Sequence, residues 1–264
     1  MSQYQNDPII QLPNLYINGL LISNNTANPN TRIEIAQGIA RDSQNVMDLC
    51  VGLDYPNVQN VTVSAPLIVS TDVTGAGGLD QGTIAANSVY AVYVIGDSRY
   101  NKTTAGMISL ASNSVPSMPF KYDSYRLIGY IVTDGSSNIR PMYFSGIGNS
   151  RIFSYNTPVA VLTAGTQTTY TNINLSAFVP PVDNTSVTLN SAFTAAAAGN
   201  TANFKGALQT GDAVTIVAPV AGATAVTNSQ NSVLTQNVTN TPRISYKVSA
   251  GSITVSIANF YFYV

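Results

Sequence analysis

The stretch Val94-Ile95-Gly96-Asp97-Ser98 is the first place to look for chemistry. An apolar strand pattern runs into a Gly-Asp-Ser turn, a position from which a serine attacks a carbonyl when a base stands beside it. The chain contains no histidine. Ser-His-Asp and Cys-His arrangements, histidine-ligated zinc and histidine general acid–base catalysis are therefore excluded. Without its base, Ser98 reads as a turn residue after a buried strand in which Tyr90, Val92 and Val94 alternate with Ala91, Tyr93 and Ile95.

Carboxylate catalysis would need two acids held on one face. Glu34 is the sole glutamate, and most aspartates (Asp54, Asp72, Asp80, Asp97, Asp123, Asp134, Asp183, Asp212) adjoin turn residues, where their side chains cap or start turns. Asp72 and Asp80 flank Val73-Thr74-Gly75-Ala76-Gly77-Gly78-Leu79, a loop long enough to wrap a calcium ion. Its spacing fits no EF-hand, and a glycine-rich β loop is the simpler meaning. No Gly-Lys-Ser/Thr follows, so the loop is not a phosphate cradle. Cys50, the single cysteine, rules out an intrachain disulfide and reads as a small buried hydrophobe. Met107, Met118 and Met142 read as core filler, and the fifteen tyrosines as cross-strand partners with the hydroxyl at the surface. No catalytic, cofactor-binding or metal-ligating residue is assigned, and the expectation is a protein that is not an enzyme.

The elements that carry these residues are expected to be strands. Apolar segments are short, β-branched or aromatic, and bounded by Gly, Pro, Asn or Asp. Strands are expected at 58–63, 89–95, 126–133, 141–145, 159–164, 186–193, 213–218, 243–248 and 253–264, with a hairpin turn at Asp134-Gly135. A short helix is expected only within 31–49. The fold class is mainly β: two β-sandwich or jelly-roll-like domains preceded by an extended amino-terminal arm.

Composition sets the boundaries. Charged residues are 9% of the chain against 45% hydrophobic, and net charge is −1. Residues 156–264 hold only Asp183, Lys205, Asp212, Arg243 and Lys247 as charges. The reading is an arm over 1–28, a β domain over 29–155 and a carboxy-terminal β-sandwich over 156–264, joined around 155–158. Asp7-Pro8, Leu12-Pro13, Asn18-Gly19 and Asn28-Pro29 break any period in the arm. Its apolar content, including Ile9, Ile17, Leu20 and Ile22, calls for docking on the body or on a neighbouring subunit. The closing Phe-Tyr-Phe-Tyr-Val reads as a strand completing a sheet, with a subunit interface as the alternative.

Basic residues are scattered singly, which argues against nucleic acid and against an electrostatic membrane anchor. No run approaches the ~20 apolar residues of a membrane span, and no secretory signal opens the sequence. Asn-X-Ser/Thr triplets at Asn60, Asn101, Asn174, Asn184 and Asn237 are chance in so asparagine-rich a chain. A surface of Asn, Thr, Ser and Gln repels its copies weakly, which favours assembly.

Three stretches carry a resemblance: Asn30-Thr31-Arg32-Ile33-Glu34-Ile35-Ala36-Gln37-Gly38-Ile39-Ala40-Arg41-Asp42-Ser43, Val89-Tyr90-Ala91-Val92-Tyr93-Val94-Ile95-Gly96-Asp97-Ser98, and Tyr122-Asp123-Ser124-Tyr125-Arg126-Leu127-Ile128-Gly129-Tyr130-Ile131-Val132-Thr133-Asp134-Gly135-Ser136. Together they resemble a module of phage and prophage virion proteins, tail fibres among them, with Val89 where the pattern often has tryptophan. The resemblance spans about residues 30–153 and brings no site residues. It implies a structural component of a bacteriophage virion, an oligomeric fibre, spike or appendage subunit assembled in the host cytoplasm. The partners it implies are two further copies in a homotrimer and other virion proteins of capsid, neck, tail or baseplate. The alternatives are a receptor-binding adhesin for host surface polysaccharide and a capsid decoration or neck protein. Arg32, Glu34, Arg41, Asp42, Asp123 and Arg126 are candidates for structural ion pairs.

Overall fold

The structure, a computed structural model, describes residues 12–52, 66–99, 103–113, 115–182, 185–220, 224–234, 236–237 and 241–264. The strand expected at 58–63, the triplets at Asn60, Asn101 and Asn184, and Asp183 lie outside them. The described chain is all β, with no helix. In chain order the strands are β1 Ile17–Gly19, β2 Ile22–Asn24, β3 Arg32–Ile35, β4 Gly38–Arg41, β5 Asp48–Val51, β6 Leu67–Ser70, β7 Val89–Gly96, β8 Thr104–Leu110, β9 Ser124–Val132 and β10 Met142–Ile147. There follow β11 Ser150–Gly165, β12 Thr171–Asn174, β13 Ser186–Ala195, β14 Thr201–Gly206, β15 Val214–Val217, β16 Thr224–Leu234, β17 Gln236–Asn237, β18 Pro242–Val248 and β19 Gly251–Tyr263.

Five sheets result. Three have three strands, in the orders β1-β4-β5, β2-β3-β6 and β8-β7-β9. One has the order β10-β11-β19-β13-β16, and the last the order β12-β18-β14-β15 with β17 also on β18. All strand pairs are antiparallel.

β7 is buried along its whole length. Its continuous run of Val, Tyr, Ala and Ile suits a middle strand covered on both faces. Each strand of its sheet carries a glycine where another layer presses close. A Cβ on Gly96 would sit 2.4 Å from the Leu49 side chain, one on Gly106 2.2 Å from Val69, and one on Gly129 2.4 Å from Phe144. These glycines let the two amino-terminal sheets and β10 approach the central sheet.

The helix expected within 31–49 does not form. That segment makes β3, β4 and the start of β5, because Ile33, Ile35, Ile39 and Leu49 bury on sheet faces, and tertiary packing overrides helical propensity. Gly38 fits this reading, since a Cβ there would meet the Asn18 carbonyl oxygen at 2.5 Å. The Asp134 turn is present, yet its flanks join only through a Thr133–Ile139 bridge. β9 and β10 then leave for different sheets, so the turn closes a single antiparallel bridge and the two strands do not pair.

Within the arm, residues 17–24 dock on the chain's own body: β1 pairs with β4 and β2 with β3, and Ile17, Leu20 and Ile22 are buried. The expected junction at 155–158 is no linker. β11 runs through it as a sixteen-residue strand, bulged between Ser154 and Val159, and pairs with β19 on both sides of the bulge. Phe153 stacks on Phe260 at 4.7 Å, and Tyr130 of β9 meets Phe262 edge-on at 5.0 Å. The closing aromatic segment is a strand, β19, as expected, and it lies centrally, between β11 and β13.

Candidate functional site

The Gly-Asp-Ser turn is locked by structure. The Ser98 amide and hydroxyl donate to the two Asp123 carboxylate oxygens at 2.9 and 2.7 Å, and the Arg99 guanidinium pairs with the same carboxylate at 2.9 Å. Burial alone would raise the Asp123 pKa, but these bonds and the Arg99 charge outweigh it and hold the carboxyl below its ordinary value. The Ser98 hydroxyl is thus tied to a carboxylate.

The 72–80 loop folds onto β8. Its carbonyls at Val73, Gly75, Gly77 and Gly78 accept backbone N–H groups of Leu79, Gly78, Ser70 and Ile108. The Asp80 carboxylate accepts from the Ser109 hydroxyl at 2.7 Å and the Ser117 amide at 3.0 Å. These four carbonyls and one oxygen of Asp80 are engaged within the fold, while Asp72 is exposed. Cys50 lies buried on β5, and burial, with the neighbouring Asp48 charge, pushes its thiol up to about 11.

The six residues expected to form ion pairs do not pair with one another. Arg41 bonds Asp48 at 3.0 Å. Asp42 caps a turn by accepting the Val46 and Met47 amides. Glu34 accepts from the Asn25 amide group at 2.6 Å. Arg126 is buried and donates to the carbonyls of Leu15 (3.3 Å) and Val264 (3.0 Å) and to the Asn149 side chain (3.1 Å).

Two surface features remain that the strand pattern builds. The first is an uncharged face over β10, β11 and β19. Register aligns three rows across it: Tyr143–Ser154–Asn259, Ser145–Ile152–Tyr261 and Ile147–Ser150–Tyr263. Phe144, Phe153, Phe260 and Phe262 point the other way into the core, as strand alternation requires. Tyr143, Ile147 and Tyr263 are 69%, 91% and 70% exposed.

The second is a charged face on the sheet of β12, β18, β14 and β15. Lys205, Asp212, Arg243 and Lys247 are all the charges of residues 156–264 apart from Asp183. On β18, Ile244, Tyr246 and Val248 bury inward, so Arg243, Ser245 and Lys247 share the outer face. Register sets Asn203 beside Lys247, and Lys205 beside Ser245 and hence Asn172. Tyr170, just before β12, places its ring 4.2 Å from the Lys205 ammonium and 4.6 Å from that of Lys247. Attraction between each cation and the ring quadrupole holds this arrangement. The Tyr170 hydroxyl donates to Asp212, which also accepts from the Asn203 amide at 2.5 Å and lies 4.0 Å from Lys247. Asn203 is 7% exposed, and its own carbonyl oxygen is buried without a donor. Nothing in the sequence pattern points to this convergence except the scarcity of charge. The pairing that unites residues some forty positions apart is not visible there.

No family model matches the chain, and no curated protein sequence matches it. Among solved structures it is similar to one described as the structure of infectious bursal disease virus Gx strain, at 11% identity. That likeness covers 92% of this chain and 67% of the other, with a TM-score of 0.24, too low to identify a shared topology.

Proposed function

We propose that this chain is a non-enzymatic structural subunit of a bacteriophage particle, a fibre, spike or appendage protein that works as a homo-oligomer. The observation that carries the assembly part is the face of Tyr143, Ile147, Tyr261 and Tyr263. Three rows of Tyr, Ile, Ser and Asn without a charge suit burial against a second copy, since aromatic residues are enriched and charges depleted in interface cores. The chain's few charges leave little repulsion between copies. The phage assignment leans on the resemblance over residues 30–153. Threefold symmetry is the expectation by analogy with fibres.

The direct test of assembly is the mass of the full chain by size-exclusion chromatography with light scattering. An oligomer, trimeric by expectation, that dissociates in the variant Tyr143→Ser/Ile147→Ser/Tyr263→Ser supports the reading. A monomer at micromolar concentration overturns it. Cryo-electron microscopy of purified phage particles tests the phage part, with density for this fold on the particle as the expected result.

A further inference from the structure

We propose that the outer face of β12, β18 and β14 is a binding surface for an acidic polysaccharide, with Lys205, Arg243 and Lys247 receiving its carboxylates. This gives the saccharide-binding alternative a definite place, and it does not depend on the assembly reading. Three cations and one acid gather here in a half of the chain whose one other charge is Asp183. Chance scatter of charges for solubility would spread them over both sheets. Arg243 and Lys247 stand four residues apart on one strand, roughly 13 Å at the usual rise, which suits successive acidic groups of an extended polymer better than one small anion. Lys205 spends one proton on the Gln209 carbonyl, at 2.6 Å, and an ammonium has three to give.

The surroundings favour a sugar polymer over nucleic acid. The exposed Asn172, accepting from the buried Ser245 hydroxyl at 2.6 Å, lies beside the cations and keeps its amide N–H groups for a sugar hydroxyl. A sugar polymer also brings many hydroxyl groups, which the Asp212 carboxylate accepts, as it does from Tyr170. The single ring is already engaged by two ammonium groups, so no platform for stacked bases is left there.

The test measures binding of the full chain to immobilised polygalacturonate, with dextran as neutral polymer and oligodeoxythymidine as phosphate polymer. Binding to polygalacturonate but not to dextran is expected, weakening as salt is added. Each of Lys205→Gln, Arg243→Gln and Lys247→Gln is expected to cost about tenfold in Kd, the scale of one charge-assisted hydrogen bond. Asp212→Asn, which keeps the shape and removes the negative charge, is expected to tighten binding. Absence of binding, equal binding to dextran, tighter binding to oligodeoxythymidine, or variants indistinguishable from the parent would each overturn the proposal. Unfolding temperatures of the variants separate lost contacts from lost folding. A monomer that binds would refute the assembly reading alone, and an oligomer that does not bind would refute this one alone.

Discussion

Arg126 shows how single side chains hold this molecule together. Its guanidinium reaches carbonyls at Leu15 and Val264, 249 positions apart in sequence, and so ties the segment before β1 to the residue that follows β19. Replacing it with methionine keeps the stem and leaves those acceptors without a donor. The expected loss is about 1–3 kcal/mol in urea denaturation, the scale of hydrogen bonds made by a charged group. Asp123 gives the chain a pH-dependent contact. Its carboxyl pKa is held below the ordinary value, so the stabilisation is complete above the ordinary carboxylate range and is lost as pH falls through the depressed folded value. The difference in melting temperature between the parent and Asp123→Asn should therefore be largest near neutrality and shrink toward pH 3. Cys50 offers a third check. With its thiol pushed up to about 11 by burial, it should resist a thiol-specific reagent at pH 8 and react once the chain is unfolded.

At the scale of elements, the central sheet depends on close approach. Gly106→Val would drive a branched side chain into Val69 and Ile35, and Gly129→Val into Phe144 and Ile22. Each should cost about 1–3 kcal/mol by overpacking, read as a lower unfolding midpoint. Gly211→Ala is the control, since a Cβ there meets nothing within 4 Å, and its stability should stay within about 0.5 kcal/mol of the parent. Most of the expected segments form strands, those at 89–95, 126–133, 186–193, 243–248 and 253–264 matching β7, β9, β13, β18 and β19 within a few residues, whereas β8, β14 and β16 lie outside every expected segment. The segment 31–49 departs from its helical expectation because four-residue strands separated by tight turns, such as β3 and β4, imitate helical spacing of apolar residues.

For the whole molecule, the shift in composition near residue 155 suggests a boundary, whereas β11 crosses it and the Phe153–Phe260 and Tyr130–Phe262 contacts bind the two halves of the sequence. A fragment of residues 156–264 would lose Phe153 and Tyr155 from the aromatic cluster and the first residues of β11 from the five-stranded sheet. Its circular dichroism spectrum should lack a cooperative melt, while the full chain should unfold as one transition.

What the amino-acid sequence determined by itself was local and compositional: strand character, the exclusion of histidine chemistry, and a surface poor in charge. These follow from residue types and short periods, which each segment carries independently of its neighbours. Only the tertiary structure decided the rest. It placed Ser98 on Asp123, routed β9 and β10 into separate sheets, and gathered Tyr170, Lys205, Asp212 and Lys247 at one point. Strand register joins residues far apart in the chain, and a single sequence records which residues alternate but not which strands will lie side by side.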